Sequence, residues 1–365
     1  MPIYMDRHIV PGIEAKHAAQ AHREDLKIQD EYGCRCMTYW VDEERGSAFC
    51  LIDAPNEKAV KEMHDRAHGL MPHEIVQVDS NVVEAFLGRI ADPEGYYDPD
   101  DSGLKIFNDP AFRIILVSEI TDALLLRHKL GPEKAERLIS LFTEIMRKQI
   151  KVHEGREVEL KDEAYVASFV SVSQAVDCAL AIKKDIHIAS EPLGLRIALN
   201  AGMPVSKSKE LFGDTVKMAK HLCKTSANDE IVIASIIREI YKDDTSDKTG
   251  GKALKCIDPR DENILQLLMD TLSANTENHR FGVLEFCNRM SMSKSKLYRK
   301  STDLMGMSPN ELVREHRLLR SLQLLRTDRN IAQTTFDVGF SSASYFTKCF
   351  QERFGLSPLT YQKSL

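Results

Sequence analysis

The sequence predicts an α+β protein: two ferredoxin-like α/β domains followed by an all-α domain with two helix-turn-helix units. Three observations carry this. The order strand, helix, hairpin, helix, strand can be read twice, once before residue 90 and once after residue 110. Beyond residue 263 the apolar spacing is helical throughout, broken by short Ser and Gly turns. Charge is also segregated: residues 274–365 hold 14 Lys and Arg against 8 Asp and Glu, a net +6, and since the whole chain carries −6 the remainder carries −12.

In the first domain, residues 1–90, Ile3 to His8 alternates as a strand and Gly12 to Glu31 reads as a helix. Cys34 to Val41 and Ser47 to Ile52 read as a hairpin with Gly46 in its turn. Asn56 to His68 is a second helix and Glu74 to Val78 a last strand. Six of the chain's twelve histidines lie here: 8, 17, 22, 64, 68 and 73. His64 and His68 are four apart on one helix, so both can face one ligand, and His22 and Asp25 are three apart on the other. Cys34 and Cys36 share a strand face, and Cys50 sits on the neighbouring strand. Imidazole with thiolate or carboxylate suits nickel, zinc or copper. The same residues also read as surface histidines and a small buried thiol, or as the wall of a site for a small organic ligand.

Residues Asp92 to Asp109 have the Pro, Gly and acidic composition of a linker. The middle domain, 110–242, then reads as a strand at Phe112 to Val117 and a long helix from Pro132 to Val152. A hairpin follows at Val158 to Leu160 and Tyr165 to Val170, then a helix at Ala175 to Ile188 and a strand at Leu195 to Ala201. A helix opening at Phe212 and a strand at Ile231 to Ala234 complete it. A second linker is expected from Asp243 to Glu262.

In the last domain, 263–365, Val283, Leu284, Phe286 and Cys287 make a short apolar helix. Ser291 to Ser293 forms a turn with Ser293 as N-cap, and Lys294, Lys296, Arg299 and Lys300 decorate the next helix. Ser308-Pro309 opens a connecting helix rich in Leu and Arg. The second unit runs through Val338-Gly339-Phe340 to a helix ending at Gly355. Val338, Phe340, Tyr345, Phe346 and Phe350 point to one side, and Ser342, Thr347, Lys348 and Gln351 point outward. The second helix of such a unit is shaped to enter a major groove, and the basic terminal domain on an acidic body gives a local footprint for phosphate.

Composition narrows the remaining classes. No apolar run approaches the roughly 20 residues of a membrane span. The start lacks a basic region followed by an apolar one, so no secretion signal is expected. Eight scattered cysteines show neither a disulfide framework nor a CxxC zinc pair, which fits free thiols in the cytoplasm.

These motifs resemble three families. Ser293-x3-Leu297-x-Arg299, Gly306-x-Ser308-Pro309, Arg317-x5-Gln323-Leu324-Leu325 and Val338-Gly339-Phe340 through Ser357-Pro358 resemble the DNA-binding domain of AraC-type transcription regulators. Ser301 and Thr335 depart from it, standing where that family usually has an aromatic and Ala. Met5-Asp6-x-His8, Ala21-His22-x2-Asp25-Leu26, Trp40, Phe49-Cys50-Leu51-x2-Ala54-Pro55 and Ala59-Val60-x3-His64 look like a bacterial family of nickel-binding ferredoxin-like proteins. That likeness implies a site drawing on His8, His22, Cys50 and His64, with ligands able to come from both chains of a dimer. The middle domain resembles the catalytic domain of class III nucleotidyl cyclases. Of five positions that family uses, one is kept: the carboxylates fall on Glu119 and Asp162, the purine-reading lysine on Val158, and the later Asn and Arg on Lys217 and His221. A degenerate, non-catalytic cyclase fold is therefore expected.

Together the resemblances imply a cytoplasmic, one-component, homodimeric regulator that binds double-stranded DNA. Lys294, Lys296 and Arg299 would serve one groove, and Ser342, Thr347 and Lys348 the next. The effector would be nickel or another transition metal, or a small molecule or nucleotide. The rival classes are a cyclase coupled to DNA binding and a nickel-buffering protein.

Overall fold

The computed structural model describes residues 1–98, 101–121, 125–158, 164–188, 194–226, 230–244, 254–327 and 329–363. The first domain comprises β1 (Ile3–Ile9), α1 (Ala15–Ile28), β2 (Arg35–Asp42), β3 (Ser47–Asp53), α2 (Glu57–Ala67) and β4 (Glu74–Val78). Its antiparallel sheet has the order β2-β3-β1-β4. The period-2 alternation makes the sheet two-faced. Ala48, Cys50 and Ile52 of β3 belong with the helices, whereas Met5, Trp40, Phe49 and Leu51 pack into the core shared with the middle domain. Gly46 closes the β2–β3 turn at φ +55°, where a Cβ would stand 3.1 Å from the Pro11 backbone.

A helix that the sequence reading did not anticipate follows. The helix α3 (Ser80–Leu87) starts at Asp79, whose side chain accepts from Asn81 N–H at 2.8 Å, and ends at Gly88 in the left-handed region. Its Val83, Phe86 and Leu87 are buried, with the Phe86 ring 4.7 Å from that of Phe212. The last carbonyls of α3 accept from a buried cation: Arg113 Nε donates to Phe86 O at 3.2 Å and Nη2 to Leu87 O at 3.2 Å. A positive charge at a helix C-terminus is favourable and satisfies acceptors that the helix leaves open.

The stretch read as the first linker carries β5 (Tyr97–Asp98) and β6 (Asp101–Lys105), a hairpin docked on the first domain. Tyr39 Oη donates to Lys105 O at 2.9 Å, its ring stacks on Phe107 at 4.2 Å, and Leu104 and Phe107 are buried beside Ile13 and Ala18. Tertiary contacts thus override the turn-like composition.

The middle domain comprises β7 (Arg113–Ile120), α4 (Leu126–Leu130), α5 (Pro132–Val152), β8 (Arg156–Val158), β9 (Tyr165–Phe169), α6 (Val172–Ile188), β10 (Leu195–Gly202), α7 (Gly213–Thr225), β11 (Ile231–Ile233), α8 (Ser235–Asp244) and β12 (Leu254–Cys256). Among the described residues its sheet has the order β12-β11-β10-β7-β9-β8. The part β10-β7-β9-β8 repeats the ferredoxin-like order of the first domain, and β11 and β12 extend it in parallel from β10. The second expected linker instead holds β12 and the start of α9 (Pro259–Ala274), capped by Asp258, which accepts from the N–H groups of Arg260 and Asp261. Of the cyclase-like positions, Glu119 lies on β7, Val158 is buried on β8, and Asp162 lies outside the described residues.

The last domain is helical: α10 (Val283–Met290), α11 (Lys294–Met305), α12 (Pro309–Leu324), α13 (Ile331–Asp337), α14 (Ala343–Phe354) and α15 (Pro358–Lys363). Helix α12 joins the two units and begins with a capping box between Ser308 and Glu311. The first unit shares one hydrophobic cluster with α9 and the middle domain, while the second forms a separate cluster on Leu318, Leu322, Phe346 and Phe350. Ser301 and Thr335, the two departures from the AraC pattern, are fully buried and donate back to their own helices, to Tyr298 O at 3.1 Å and Ile331 O at 2.8 Å. Tyr345, expected on the inner side, is 53% exposed.

Two expectations follow. Phe86→Ala empties a site fully closed on both sides, and such a truncation costs about 3–5 kcal/mol; urea unfolding of the full chain should show the loss, and a cost below about 1 kcal/mol would mean that α3 is not clamped. The second concerns pH. Burial and Lys224 pull His221 down to about 4, partly opposed by Asp270; burial, Lys224, Arg320 and Arg317 pull His316 down to about 4 as well. Both pKa values are depressed in the fold, so the stability they contribute is complete above the unfolded value near 6.5 and is lost as pH falls towards 4. The junction of α7, α9 and α12 should soften in that window. Thermal midpoints across pH 4 to 7 for the parent and a His221→Gln, His316→Gln variant test this, the variant having the flatter profile.

Candidate metal centre and nucleic-acid interface

On β1, Asp6 and His8 are two residues apart and point to the helix side of the sheet; Cys50 of β3 points the same way, and α2 brings in His64. One donor atom from each of Asp6, His8, Cys50 and His64 lies within 4.8 Å of the others. Asp6 and His64 are fully buried and His8 is 5% exposed. His64 Nε2 is 2.8 Å from Asp6 Oδ2 and its Nδ1 is 3.0 Å from Asp25 Oδ1. His68 Nε2 lies 3.3 Å from the same Asp25 oxygen.

Electrostatics explain why carboxylates and imidazoles share so closed a space. Burial pushes the Asp6 carboxyl up, but His8 and His64 outweigh it and hold it well below the usual range. Asp25 is held low in the same way by His64 and His68 against its burial. Burial pulls His64 down, yet Asp6 and Asp25 raise it to about 10. Burial raises the Cys50 thiol well above its ordinary value, and the Asp6 and Asp25 charges add to that.

The donor set fits a divalent transition metal. His8 Nδ1 is buried without a hydrogen-bond partner and Nε2 has only the long 3.4 Å approach to Asp6 Oδ1, an arrangement that costs free energy unless something else accepts a lone pair. Carboxylate, two imidazoles and a thiol form a mixed set suited to nickel, zinc or copper, and a divalent cation favours the thiolate that the buried cluster otherwise opposes. With a metal bound, Asp25 would be the carboxylate behind a ligating histidine, orienting His64 through Nδ1 while Nε2 faces the centre. A small apolar recess lined by Tyr39, Ala18 and Leu70 reaches this cluster at His8, Cys50 and His68.

Of the four expected ligands, the structure brings together His8, Cys50 and His64. His22 stands apart: its Nε2 is 3.4 Å from Asp92 and its ring 5.3 Å from that of Tyr39. Cys34 and Cys36 are buried in an apolar group with Val60 and Met63, with Cys36 Sγ 3.8 Å from Met63 Sδ. Asp6 is a donor beyond the four that the family likeness implies, and its i, i+2 spacing to His8 on a strand is the signal the sequence offers for it.

In the last domain α11 and α14 are the second helices of their units. Ser293 and Ser342 cap them, accepting from Lys296 N–H and Tyr345 N–H at 3.3 Å each. Lys294, Lys296, Arg299, Ser342 and Lys348 are exposed and Thr347 is half-buried. Lys300, by contrast, pairs with Asp261 of α9, and Lys348 lies 3.8 Å from Glu352. The caps and outward cations leave both helix starts accessible to a polyanion.

This two-unit helical domain is of the AraC helix-turn-helix type, and residues 286–364 match the family described as a helix-turn-helix domain. Residues 4–78 match the family described as nickel responsive protein SCO4226-like. The last domain is similar to the HTH-type transcriptional activator RhaR of Pectobacterium atrosepticum, 33% identical over 107 residues, which are 28% of this chain and 36% of RhaR. The first domain is similar to SCO4226 of Streptomyces coelicolor, 32% identical, covering 21% of this chain and 94% of that one with a TM-score of 0.20. A further likeness, to an adenylate/guanylate cyclase/hydrolase of Silicibacter pomeroyi, is 23% identical, covers 38% of this chain and 83% of the other, and has a TM-score of 0.33. The chain spans between 8% and 36% of the length of the first curated relatives it matches. No helix among the described residues is long and apolar enough to cross a membrane.

Titration of the full chain with nickel(II) should show tight binding that is lost in His64→Ala. Asp25→Asn, which removes only the orienting carboxylate, should weaken it by about 10–100-fold. His22→Ala should leave it nearly unchanged; an equal loss in His22→Ala and His64→Ala would refute the Asp6, His8, Cys50, His64 assignment.

Proposed function

We propose that the chain is a transcription regulator that binds double-stranded DNA through α11 and α14, with nickel(II) in the first domain as its signal. The observation that carries this is the pair of Ser-capped helices at the ends of one rigid connecting helix, with Lys294, Lys296, Arg299 and Lys348 turned to solvent. In helix-turn-helix proteins the second helix lies in the major groove. Here two such helices would take successive grooves, and a homodimer would double that footprint on one operator. Such a protein would act in the cytoplasm.

The middle domain, in this reading, connects rather than catalyses. Two of its cyclase-like positions face α9: Lys217 forms a surface ion pair with Asp270 at 2.7 Å, and His221 is buried beside the same helix. Incubation with ATP or GTP and manganese should yield no cyclic nucleotide above background. Product that disappears in Asp162→Ala would establish catalysis instead.

DNA binding is tested on an operator selected from random sequence. Replacing Lys294 and Lys296 together with Ala should weaken binding across sequences and lower the salt slope by about 2, as expected when two phosphate contacts are removed. Nickel should change operator affinity by about 5-fold or more in the parent, within the usual range of coupling energies, and by nothing in His64→Ala. An unaltered salt slope would sink the docking, and equal affinity with and without bound nickel would leave a metal-binding domain uncoupled from DNA.

A further inference from the structure

A cavity of about 570 Å³ opens where the end of α7 and the end of α9 meet α12 and α13. It lies far along the chain from the metal donors and is distinct from the exposed faces of α11 and α14. Its inner wall carries Lys224 of α7, His316 of α12 and Thr276, with His316 Nε2 2.9 Å from Thr276 Oγ1. At the mouth stand Arg320, whose Nη1 donates to Gln323 Oε1 at 2.9 Å, and Arg329, paired with Asp337. The other acid on the wall, Glu277, is exposed. Asp337 is paired with Arg329, which leaves Lys224, with Glu119 of β7 behind it, and Arg320 facing the space against a solvated Glu277.

His316 is kept neutral by its burial and by Lys224, Arg320 and Arg317 around it. A space walled by the Lys224 and Arg320 cations, with small apolar patches from Leu319, Leu324 and Ala274, is suited to an anion, while the His316 imidazole and Thr276 hydroxyl are tied to each other and to Leu272 O. Its volume falls in the range of small-molecule sites. Its walls come from both sides of the junction between the middle domain and the second helix-turn-helix unit. That junction is tight nearby: a Cβ on Gly339 would stand 2.3 Å from Thr276 O.

We propose that this cavity is a binding site for a small polyanion, phosphorylated or polycarboxylate, held between Lys224 of the middle domain and Arg320 of the connecting helix. An occupant would tie the second helix-turn-helix unit to α7 and α9, and so would set how that unit is presented. The binding itself does not depend on the DNA reading above.

The test uses the full chain and two probes, sodium pyrophosphate and sodium citrate, each titrated against sodium chloride at matched ionic strength. Thermal unfolding and calorimetry are read in parallel. The expected result is a saturable rise in unfolding midpoint with at least one probe, with affinity lowered about tenfold or more in both Lys224→Gln and Arg320→Gln, the loss of one charge-assisted contact each. Arg320 is exposed, so its variant keeps the fold even if Lys224→Gln does not. A response to pyrophosphate alone identifies a phosphate site, and to citrate alone a carboxylate site. No saturable effect beyond chloride, or affinity unchanged in Arg320→Gln, overturns the proposal.

Discussion

The structure depends on two strands that are buried on both faces. On β1 the side chains of Asp6 and His8 enter the polar cluster while Met5 enters the apolar core, and on β3 Cys50 does the former while Phe49 and Leu51 do the latter. A one-residue slip in either strand would exchange carboxylate for methionine and thiol for phenylalanine, so the register is specified by two incompatible environments at once. The antiparallel pairs Met5 with Leu51 and His8 with Ala48 are the register that satisfies both. This constraint also places the polar cluster a single strand's thickness from the middle domain.

What lies on the other side of those strands is not solvent but α3. Its buried face joins Trp40, Phe49 and Leu51 to Phe112, Phe212 and the middle sheet, and its C-terminus is held by Arg113 at the start of β7. Burial pulls the Arg113 guanidinium down to about 10, partly opposed by Asp109, so it remains a cation at neutral pH. Arg89, just past α3, lies over the Trp40 and Phe107 rings at 4.4 and 4.7 Å and pairs with Asp109 at 3.1 Å. The same hydrophobic cluster continues through α9 into α10, α11 and α12. A rearrangement of β1 or β3 on taking up a cation would therefore meet packed side chains all the way to the first DNA-facing unit, and close-packed interiors transmit such strain. The second unit packs in a separate cluster that also takes in Leu125, at the start of α4 in the middle domain.

Much of this was legible in the sequence where a single local signal decided the outcome. The alternation of β1 and β3 and the helical spacing of α5 gave the strands and helices, and Ser293 and the Gly339 turn marked the units. The parts that were not legible are those fixed by contacts distant in sequence. Helix α3 is only eight residues long and is stable because it is clamped between two sheets. The hairpin β5–β6 has turn-like composition and is held by Tyr39, more than fifty residues earlier. His22 matched the metal-binding pattern as well as His64 did, and spacing along a helix does not show that Asp92 takes one and Asp25 the other. Asp6 was hidden for the opposite reason: a carboxylate in a strand core reads as an exception until the two imidazoles that stabilise it are seen.

The two DNA-facing helices are also unequal in a way that bears on how they divide the work. The first presents Lys294, Lys296 and Arg299, and its fourth cation, Lys300, is turned away to bind Asp261, which fastens the helix to α9. The second presents Lys348, four residues from Glu352 on the same helix, while its other cation, Arg353, is turned away to pair with Glu315 of α12; Ser342, Ser344, Tyr345 and Gln351 are also exposed. Phosphate neutralisation by cations supplies most sequence-independent affinity, whereas neutral hydroxyls contact phosphate, sugar or base edges without adding charge. On the proposed docking the first unit would be held both by phosphate and, through Lys300 and Asp261, by the protein core. The second presents fewer free cations and packs on α12 and Leu125, so its register on DNA would be the more sensitive to how the middle domain and α12 hold it.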